Sequence, residues 1–164
     1  MFISEALDSS HRLESFNSGT PSLDHWLHRS ARLSDSKRQG RTYVWRGEDH
    51  VVAAYFTLAP HVIERAELPA KIARGNLNEI PALLLARLAL DLRYRGQSLG
   101  AELLTDALSR AVTASNQAGG RFIVVDALDE NAGRFYEHYG FVRCSERALY
   151  RYVRKVGDIA VSLG

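Results

Sequence analysis

Hydrophobic and polar positions along the chain alternate between the spacing of helices and the spacing of strands. Apolar residues at helical spacing follow Pro21, and Gly40 ends this helix. Segments 42–46 and 51–58 are rich in β-branched and aromatic residues, and the four residues between them are typical of a hairpin. With a short strand at 2–7, this half of the chain predicts one helix and a group of neighbouring strands.

The second half repeats the alternation around one long apolar segment. Residues 80–91 predict a buried central strand, and residues 99–116 predict a helix that the Gly119-Gly120 pair ends. The pattern therefore predicts an α/β fold, whose other elements are an irregular segment at 60–78 with a short helix at 69–73, a strand at 122–127, a helix at 131–139, strands at 141–143 and 148–153, and a loose tail at 157–164.

Length and composition favour one enzyme-sized domain. The 164 residues are 46% hydrophobic, which suits a single domain over residues 1–156. The lone Cys144 has no partner for an internal disulfide, and charged residues and a proline interrupt the longest apolar stretch. No basic-then-apolar signal pattern begins the sequence. These features predict a cytoplasmic protein without a membrane span.

The turn between the central strand and the following helix has the composition of a phosphate-binding turn. Unpaired backbone N–H groups and the helix dipole attract an anion at a helix N-terminus, and glycines let it approach. The spacing matches neither the nucleotide-triphosphate P-loop nor the dinucleotide glycine motif. The turn reads Arg95, Gly96, Gln97, Ser98, Leu99 and Gly100.

Positive charge is concentrated although the net charge is only +2. Segment 29–41 holds five basic residues and one acidic residue, and segment 143–155 has the same balance. Such clusters attract polyanions, and they also occur as ordinary solvated surface. Charge alone leaves both readings open.

Residues 95–100 resemble the pyrophosphate loop of the GNAT acetyltransferases, except that Ser98 stands where that family usually has glycine. Segment 129–141 resembles the family's sequence motif after the fifth strand, and its Phe-Tyr pair is Phe135 and Tyr136. The resemblance implies the GNAT fold, a mixed and mostly antiparallel sheet flanked by helices. It also implies acetyl-CoA as the cofactor.

By the same resemblance, Tyr136 is the catalytic tyrosine that faces the CoA sulfur. A tyrosine that only packs in the helix is the alternative, and Tyr139 suits that role better. Asn131 would contact the pantetheine arm, or it would cap its helix. The implied cofactor-binding residues are Leu88, Ala89, Leu90, Arg95, Gly96, Gln97, Ser98, Leu99, Gly100, Asn131 and Phe135.

Segment 16–27 is similar to the opening of the GNAT toxins that pair with ribbon-helix-helix antitoxins. A helix cap at Thr20 or Ser22 is the purely structural alternative. The toxin resemblance implies acetylation of the α-amino group of aminoacyl-tRNA, a block of translation and an antitoxin partner, and it allows a homodimer. The implied tRNA contacts are Arg29, Arg32, Lys37, Arg38, Arg41 and Arg87.

Two other functions fit the residues. One is a GNAT acetyltransferase of a small amine or a protein N-terminus, and the other is a domain that binds without turnover. About a tenth of an α-amine is neutral at pH 7, so such an acceptor needs little help from a base. No carboxylate is marked by the sequence as a base; Glu64 and Glu79 are candidates, with ordinary surface glutamates as the alternative. The spacing of His50, His61 and His138 predicts no metal site.

Overall fold

The computed structural model describes residues 2–144 and 150–164. Within them, strands and helices alternate along the chain. The strands are β1 (Ser4–Ala6), β2 (Arg41–Arg46), β3 (Val52–Glu64), β4 (Glu79–Leu90), β5 (Phe122–Asp126), β6 (Val142–Arg143) and β7 (Arg151–Lys155). The helices are α1 (Pro21–Arg29), α2 (Ala31–Ser36), α3 (Ala70–Ala73), α4 (Leu99–Ala118), α5 (Glu130–His138) and α6 (Val156–Leu163).

The strands of the described residues form one sheet in the order β1-β2-β3-β4-β5-β7-β6. Strands β4 and β5 pair in parallel, whereas β1 with β2, β2 with β3, β5 with β7, and β6 with β7 are antiparallel. The parallel register ends at Leu85 and Val125. The expected mixed and mostly antiparallel sheet is confirmed.

The chain divides into two compact units, and the first contains residues up to Ala59 together with Ala86–Leu108. Its core forms where the apolar sides of α1 and α2 meet buried side chains of the early strands. Phe16 is 2% exposed and meets Tyr55 edge to face at 5.5 Å between ring centroids. The Tyr55 hydroxyl donates a hydrogen bond to the Leu23 carbonyl at 2.6 Å, so the start of α1 is fixed to β3.

The second unit contains Pro60–Leu85 and Ser109–Gly164. Its core contains alternate residues of β5 and β7, because the inward side chains of a strand recur at every second position. Phe122, Val124 and Val153 are fully buried there beside Ile63 and Ile80. This packing holds β5 and β7 against Ile63 and Ile80.

Three parts of the secondary structure differ from the pattern-based expectation. The helix after Pro21 is two helices, since α1 ends before Ser30 and α2 begins after it. Strand β3 continues to Glu64, because Ile63 remains buried between exposed neighbours in a segment expected to be irregular. The expected loose tail is wrong, since α6 occupies it and Ile159 is fully buried.

The last expected strand falls partly on residues 148 and 149, which lie outside the described residues. Its described portion, β7, runs two residues farther than expected, to Lys155. Among the helices in the described ranges, none combines the length and apolar character needed to cross a lipid bilayer.

Candidate active site

The segment between β4 and α4, which we call the cofactor loop (residues 95–100), presents its backbone to open space. Gly96 has φ +77°, and a Cβ atom built on Gly96 or Gly100 would meet no atom within 4 Å. Leu99 begins α4, so unpaired N–H groups of a 20-residue helix lie in the same segment. An anion such as a pyrophosphate fits this arrangement of dipoles and free space.

Ser98 has φ +58°, which is the left-handed region that favours glycine. The GNAT pattern usually has glycine at this position, and the chain therefore keeps the backbone shape of the loop with a different residue. A side chain in this conformation raises the energy by roughly 1–2 kcal/mol. The departure from the pattern changes the energy of the loop and leaves its shape intact.

The cofactor loop is connected to the segment before α1. Arg95 donates through Nη2 to the carbonyl oxygen of Ser18 at 3.1 Å. The Leu92 amide donates to the Asn17 carbonyl at 2.9 Å, and the Asn17 amide donates to Asp91 Oδ2 at 3.0 Å. Residues 17 and 18 therefore brace both ends of the turn that leads into the loop.

A carboxylate inside α1 holds this brace. Asp24 Oδ1 accepts hydrogen bonds from the Ser18 amide at 2.9 Å and the Ser18 hydroxyl at 2.7 Å. Thr20 is the N-cap residue of α1, but its side chain makes no capping bond. The opening motif of the chain thus acts through Ser18 and Asp24, and the alternative of a side-chain cap at Thr20 is wrong.

Asp91 anchors the other side of the turn. Its carboxylate is 2% exposed and accepts from the Arg93 amide at 2.9 Å and from Arg93 Nε at 2.8 Å. Burial by itself would raise the pKa of Asp91, but the hydrogen bonds from Arg93 and Asn17 outweigh it and hold the pKa below its usual range. Arg93 is consequently committed to Asp91.

The end of β4 supplies the residues expected along the pantetheine arm. Ala89 is 5% exposed and packs in the core of the first unit, and Leu88 and Leu90 are half-buried. All three follow Leu85, where the parallel register of β4 ends. Backbone N–H and C=O groups that face the gap beyond the last paired residues of two strands are available to a ligand.

The N-terminus of helix α5 is capped by a residue other than Asn131. Asp129 is the N-cap residue, and its carboxylate accepts from the Ala132 amide at 2.9 Å. Asn131 is exposed in the first turn, where its side-chain oxygen accepts from Arg134. The capping role is therefore wrong for Asn131, whose side chain stays at the surface.

Tyr136 is buried near the end of α5, with 7% of its surface exposed. Its ring meets Phe135 edge to face at 5.3 Å and Phe141 at 5.6 Å between centroids. Burial raises the pKa of the phenol. The Tyr136 hydroxyl is therefore a neutral hydrogen-bond donor over the physiological pH range.

Gly133 lies one helical turn before Tyr136 and is buried. A Cβ atom at this position would stand 2.8 Å from Tyr152 Cζ, a distance that real side chains do not reach. Tyr152 is fully buried on β7. The absence of a side chain at Gly133 thus lets the helix backbone lie directly on the tyrosine ring.

The six basic residues expected at a tRNA surface differ in their contacts. Arg32 donates to the His11 carbonyl at 2.6 Å, and Arg41 lies 4.0 Å from Asp35. Arg87 is half-buried, with its guanidinium 4.0 Å from the centre of the Trp26 ring. The remaining three have exposed side chains that make no hydrogen bond or ion pair to described residues, and they are Arg29, Lys37 and Arg38.

Comparison with known proteins agrees with this geometry. The model of the acetyltransferase (GNAT) domain matches residues 72–156. A tRNA-acetylating toxin of Mycobacterium tuberculosis is 37% identical over 127 residues, which cover 77% of this chain and 76% of the relative. The chain belongs to the GNAT acetyltransferase toxins.

Two solved structures resemble this GNAT toxin over nearly its whole length. The toxin AtaT in complex with acetyl-methionyl-tRNAfMet is 26% identical, with a TM-score of 0.90 and complete coverage of both chains. A tyrosine-to-phenylalanine mutant of AtaT, bound to the C-terminus of the antitoxin AtaR and to acetyl-CoA, is 25% identical, with a TM-score of 0.84 and coverage of 98% of this chain and 97% of that one.

The positioning residues of this GNAT toxin were not found from the sequence. Ser18 and Asp91 act through backbone groups of distant segments, and no spacing rule links them. The signal that could have found them is the local pairing of polar residues, since Ser18 bonds Asp24 six residues later and Asp91 bonds Arg93 two residues later. Among the described residues, no group of three histidine, cysteine or acidic side chains is arranged to hold a metal ion.

Proposed function

We propose that this GNAT toxin transfers the acetyl group of acetyl-CoA to the α-amino group of aminoacyl-tRNA and thereby blocks translation. The observation that carries the proposal is the cofactor loop, where free N–H groups, open space above Gly100 and the start of α4 suit a pyrophosphate. The tRNA-acetylating relative and the AtaT complex support the acceptor.

The cofactor-binding role falls to two sets of residues. We assign the pyrophosphate to Arg95, Gly96, Gln97, Ser98, Leu99 and Gly100, whose backbone carries the free donors. Leu88, Ala89 and Leu90 would line the pantetheine and hold the thioester oxygen through backbone N–H groups. Asn131 and Phe135 complete the proposed set. When bound, acetyl-CoA supplies an activated acetyl thioester.

Tyr136 is the proposed catalytic residue. Its neutral hydroxyl would donate a hydrogen bond to the sulfur of the departing thiolate, which stabilises negative charge there. Because burial raises the pKa of Tyr136 above that of a free phenol, complete transfer of its proton to the thiolate is unfavourable. Hydrogen-bond stabilisation is therefore the better description of its role than full transfer.

The tRNA phosphates would meet the exposed side chains of Arg29, Lys37 and Arg38, which have no acidic partner among the described residues. Arg32 and Arg41 are bound to neighbouring groups and would contribute less. Arg87, stacked on Trp26, would present a planar cation next to an aromatic ring, a combination that also stacks on nucleobases.

The remaining proposals concern assembly and location. Membership of the family implies an antitoxin partner. We also propose that this antitoxin is of the ribbon-helix-helix type and that the toxin forms a homodimer. We place the protein in the cytoplasm, where charged tRNA is found, and we take residues 1–156 as one catalytic domain. Helix α6 follows this domain.

The deciding experiment incubates the full chain with labelled acetyl-CoA and a pool of charged tRNAs. Label that mild base releases from the tRNA as N-acetyl-amino acid supports the proposal, because base cleaves the ester to tRNA and leaves the acetyl amide intact. Parallel reactions offer small amines and peptides with free N-termini. Label in either of these but not in tRNA would replace the proposal with a metabolic or protein acetyltransferase.

A further inference from the structure

Arg87, on β4 in the first unit, carries a half-buried guanidinium. One face of the group lies over the Trp26 ring, 4.0 Å from its centre. The side chain makes no hydrogen bond or ion pair to the part of the chain that the structure describes, and none of its nitrogen atoms is shielded from solvent. A charge partly withdrawn from water is unfavourable without an opposite charge. The open edge of the guanidinium is therefore a place for an anion.

Arg87 cannot relieve this burial by becoming neutral. Burial lowers its pKa, but a guanidinium does not lose its proton in proteins near neutral pH. Tyr55 is the titratable neighbour that acts on it, and burial raises the pKa of that phenol, so Tyr55 supplies no negative charge. An anionic ligand remains the way to balance the charge.

Trp26 is held in place by the core of the first unit. Its ring lies nearly parallel to that of Tyr55, with 14° between the planes and 6.1 Å between the centroids. Tyr55 is fully buried, and its hydroxyl donates to the Leu23 carbonyl at 2.6 Å. The ring beneath Arg87 is therefore braced, and an oriented guanidinium loses less entropy when it binds a ligand.

Arg87 lies beside the residues that we assign to the thioester. It directly precedes Leu88 on β4. Ala89 belongs to the core cluster against which Trp26 packs, so Arg87 and Ala89 lie on the side of the strand that faces α1. At about 3.3 Å of rise per residue, Arg87 is no more than 10 Å from Leu90 along the strand.

A second set of contacts connects Trp26 to the cofactor loop. Asp24, on the same helix as Trp26, accepts from the Ser18 hydroxyl at 2.7 Å. The Ser18 carbonyl in turn accepts from Arg95 of the cofactor loop at 3.1 Å. Helix α1 therefore supports both the loop and the ring on which Arg87 lies.

The open edge of Arg87 suits a phosphodiester. A guanidinium presents a planar pair of N–H donors that matches two oxygens of a phosphate group. In aminoacyl-tRNA, only one ribose and the aminoacyl ester separate the α-amine from the last phosphodiester of the chain. An amine placed at the thioester would therefore bring this phosphodiester, rather than the body of the tRNA, to Arg87.

We propose that Arg87, braced by Trp26, binds the last phosphodiester of the tRNA and thereby places the aminoacyl amine at the acetyl group. This inference rests on the proposed function. It gives Arg87 a role distinct from that of the exposed basic residues of segment 29–38, which would meet phosphates farther from the reacting end.

The test uses charged tRNA whose last phosphodiester is either natural or replaced by a neutral methylphosphonate. Single-turnover experiments give kcat/KM for the wild type, for Arg87→Gln and, as a matched control, for Arg46→Gln, an exposed arginine on β2. The wild type and the control should lose about tenfold or more with the neutral linkage. Arg87→Gln should lose about the same factor on natural tRNA and should change by less than about twofold between the two linkages.

Equal kcat/KM of the wild type for both linkages would overturn the inference while the proposed function stands. So would an Arg87→Gln protein that is as sensitive to the linkage as the wild type, or one that is slow on both tRNAs while the wild type ignores the linkage, as stacking on a base would produce. Neutralising the next phosphodiester inward should affect the wild type and Arg87→Gln equally. A larger effect on the wild type there would place Arg87 at the wrong phosphate.

Calorimetry separates the tRNA from the cofactor, which also carries phosphates. Arg87→Gln should bind acetyl-CoA as the wild type does, and a weakened affinity would assign Arg87 to the cofactor. If thermal unfolding shows that Arg87→Gln does not fold, Arg87→Lys replaces it. Lysine keeps the charge without the planar pair of donors, so it should lose less than the wild type with the neutral linkage, and an equal loss contradicts the inference. A wild-type chain that binds acetyl-CoA but leaves natural charged tRNA unmodified would instead overturn the proposed function.

Discussion

Arg95 and Ser18 are joined by a hydrogen bond of 3.1 Å from the guanidinium of the first to the carbonyl oxygen of the second. The two residues belong to the two motifs that carry the family resemblance, and 77 positions separate them in the chain. The opening motif therefore supports residues 95–100, which we propose as the cofactor site, and it has a structural role beyond starting a helix.

The substitution Gly100→Glu should abolish acetyl-CoA binding. It places a side chain and a negative charge in the open space that the pyrophosphate is proposed to occupy. Isothermal titration calorimetry measures the affinity. Gly157→Glu is the matched control, because a Cβ atom there also meets no atom within 4 Å. Unchanged affinity in a folded Gly100→Glu protein would place the cofactor elsewhere.

Ser98→Gly should stabilise the protein by about 1 kcal/mol, because glycine adopts a φ of +58° without the steric penalty of a side chain. Ser98→Ala keeps the penalty and should leave stability close to that of the wild type. Denaturant unfolding at pH 7 checks both variants. A glycine variant that is less stable than the alanine variant would show that the Ser98 side chain makes a compensating contact.

Tyr136→Phe should reduce turnover by about 10²-fold or more while acetyl-CoA affinity and thermal stability stay close to wild type, since only the hydroxyl is removed. Tyr139→Phe, three positions later on the chain, serves as the control and should keep its activity. Turnover is measured with charged tRNA. Full activity of Tyr136→Phe would make the residue a packing tyrosine.

Asp91→Asn should lower the free energy of unfolding by about 1–3 kcal/mol at pH 7, because the bonds from Arg93 and Asn17 lose their charged acceptor. The folded-state pKa of Asp91 is lowered. Its contribution is therefore complete above the unfolded pKa of about 3.9 and disappears as the pH falls through the folded value. The difference in unfolding free energy between the two proteins should begin to shrink below about pH 4 and disappear only below the folded pKa of Asp91. A difference that does not shrink as the pH falls from about 4 would exclude the charge as its cause.

The combined substitution of Arg29, Lys37 and Arg38 by alanine should weaken tRNA binding and make it less sensitive to salt. Three lost phosphate contacts reduce the slope of log affinity against log salt by about 2–3. Filter binding between low and moderate salt measures the slope. Lys71→Ala with Arg74→Ala removes exposed charge from the second unit as the control. An unchanged slope would exclude this surface.

The sequence predicted the order of most elements, because periodicities of two and of 3.6 residues are local properties. It did not predict α6, which lies against β7 and buries Ile159 completely. The cofactor loop was found because free N–H groups at a helix start need only neighbouring residues. The roles of Ser18 and Asp91 depend on partners far along the chain, and a linear pattern does not reveal them.

The close packing of Gly133 against Tyr152 provides a way in which the activity of this protein can be lost. The backbone of α5 rests on the Tyr152 ring, and even one methyl group at position 133 would push the helix outward. Tyr136 is carried by the same helix, one turn later, so its hydroxyl would move with it. A substitution at position 133, which contacts neither substrate nor cofactor, would then inactivate the enzyme by moving Tyr136. Selection for cells that survive expression of the toxin is expected to recover such variants, folded but inactive.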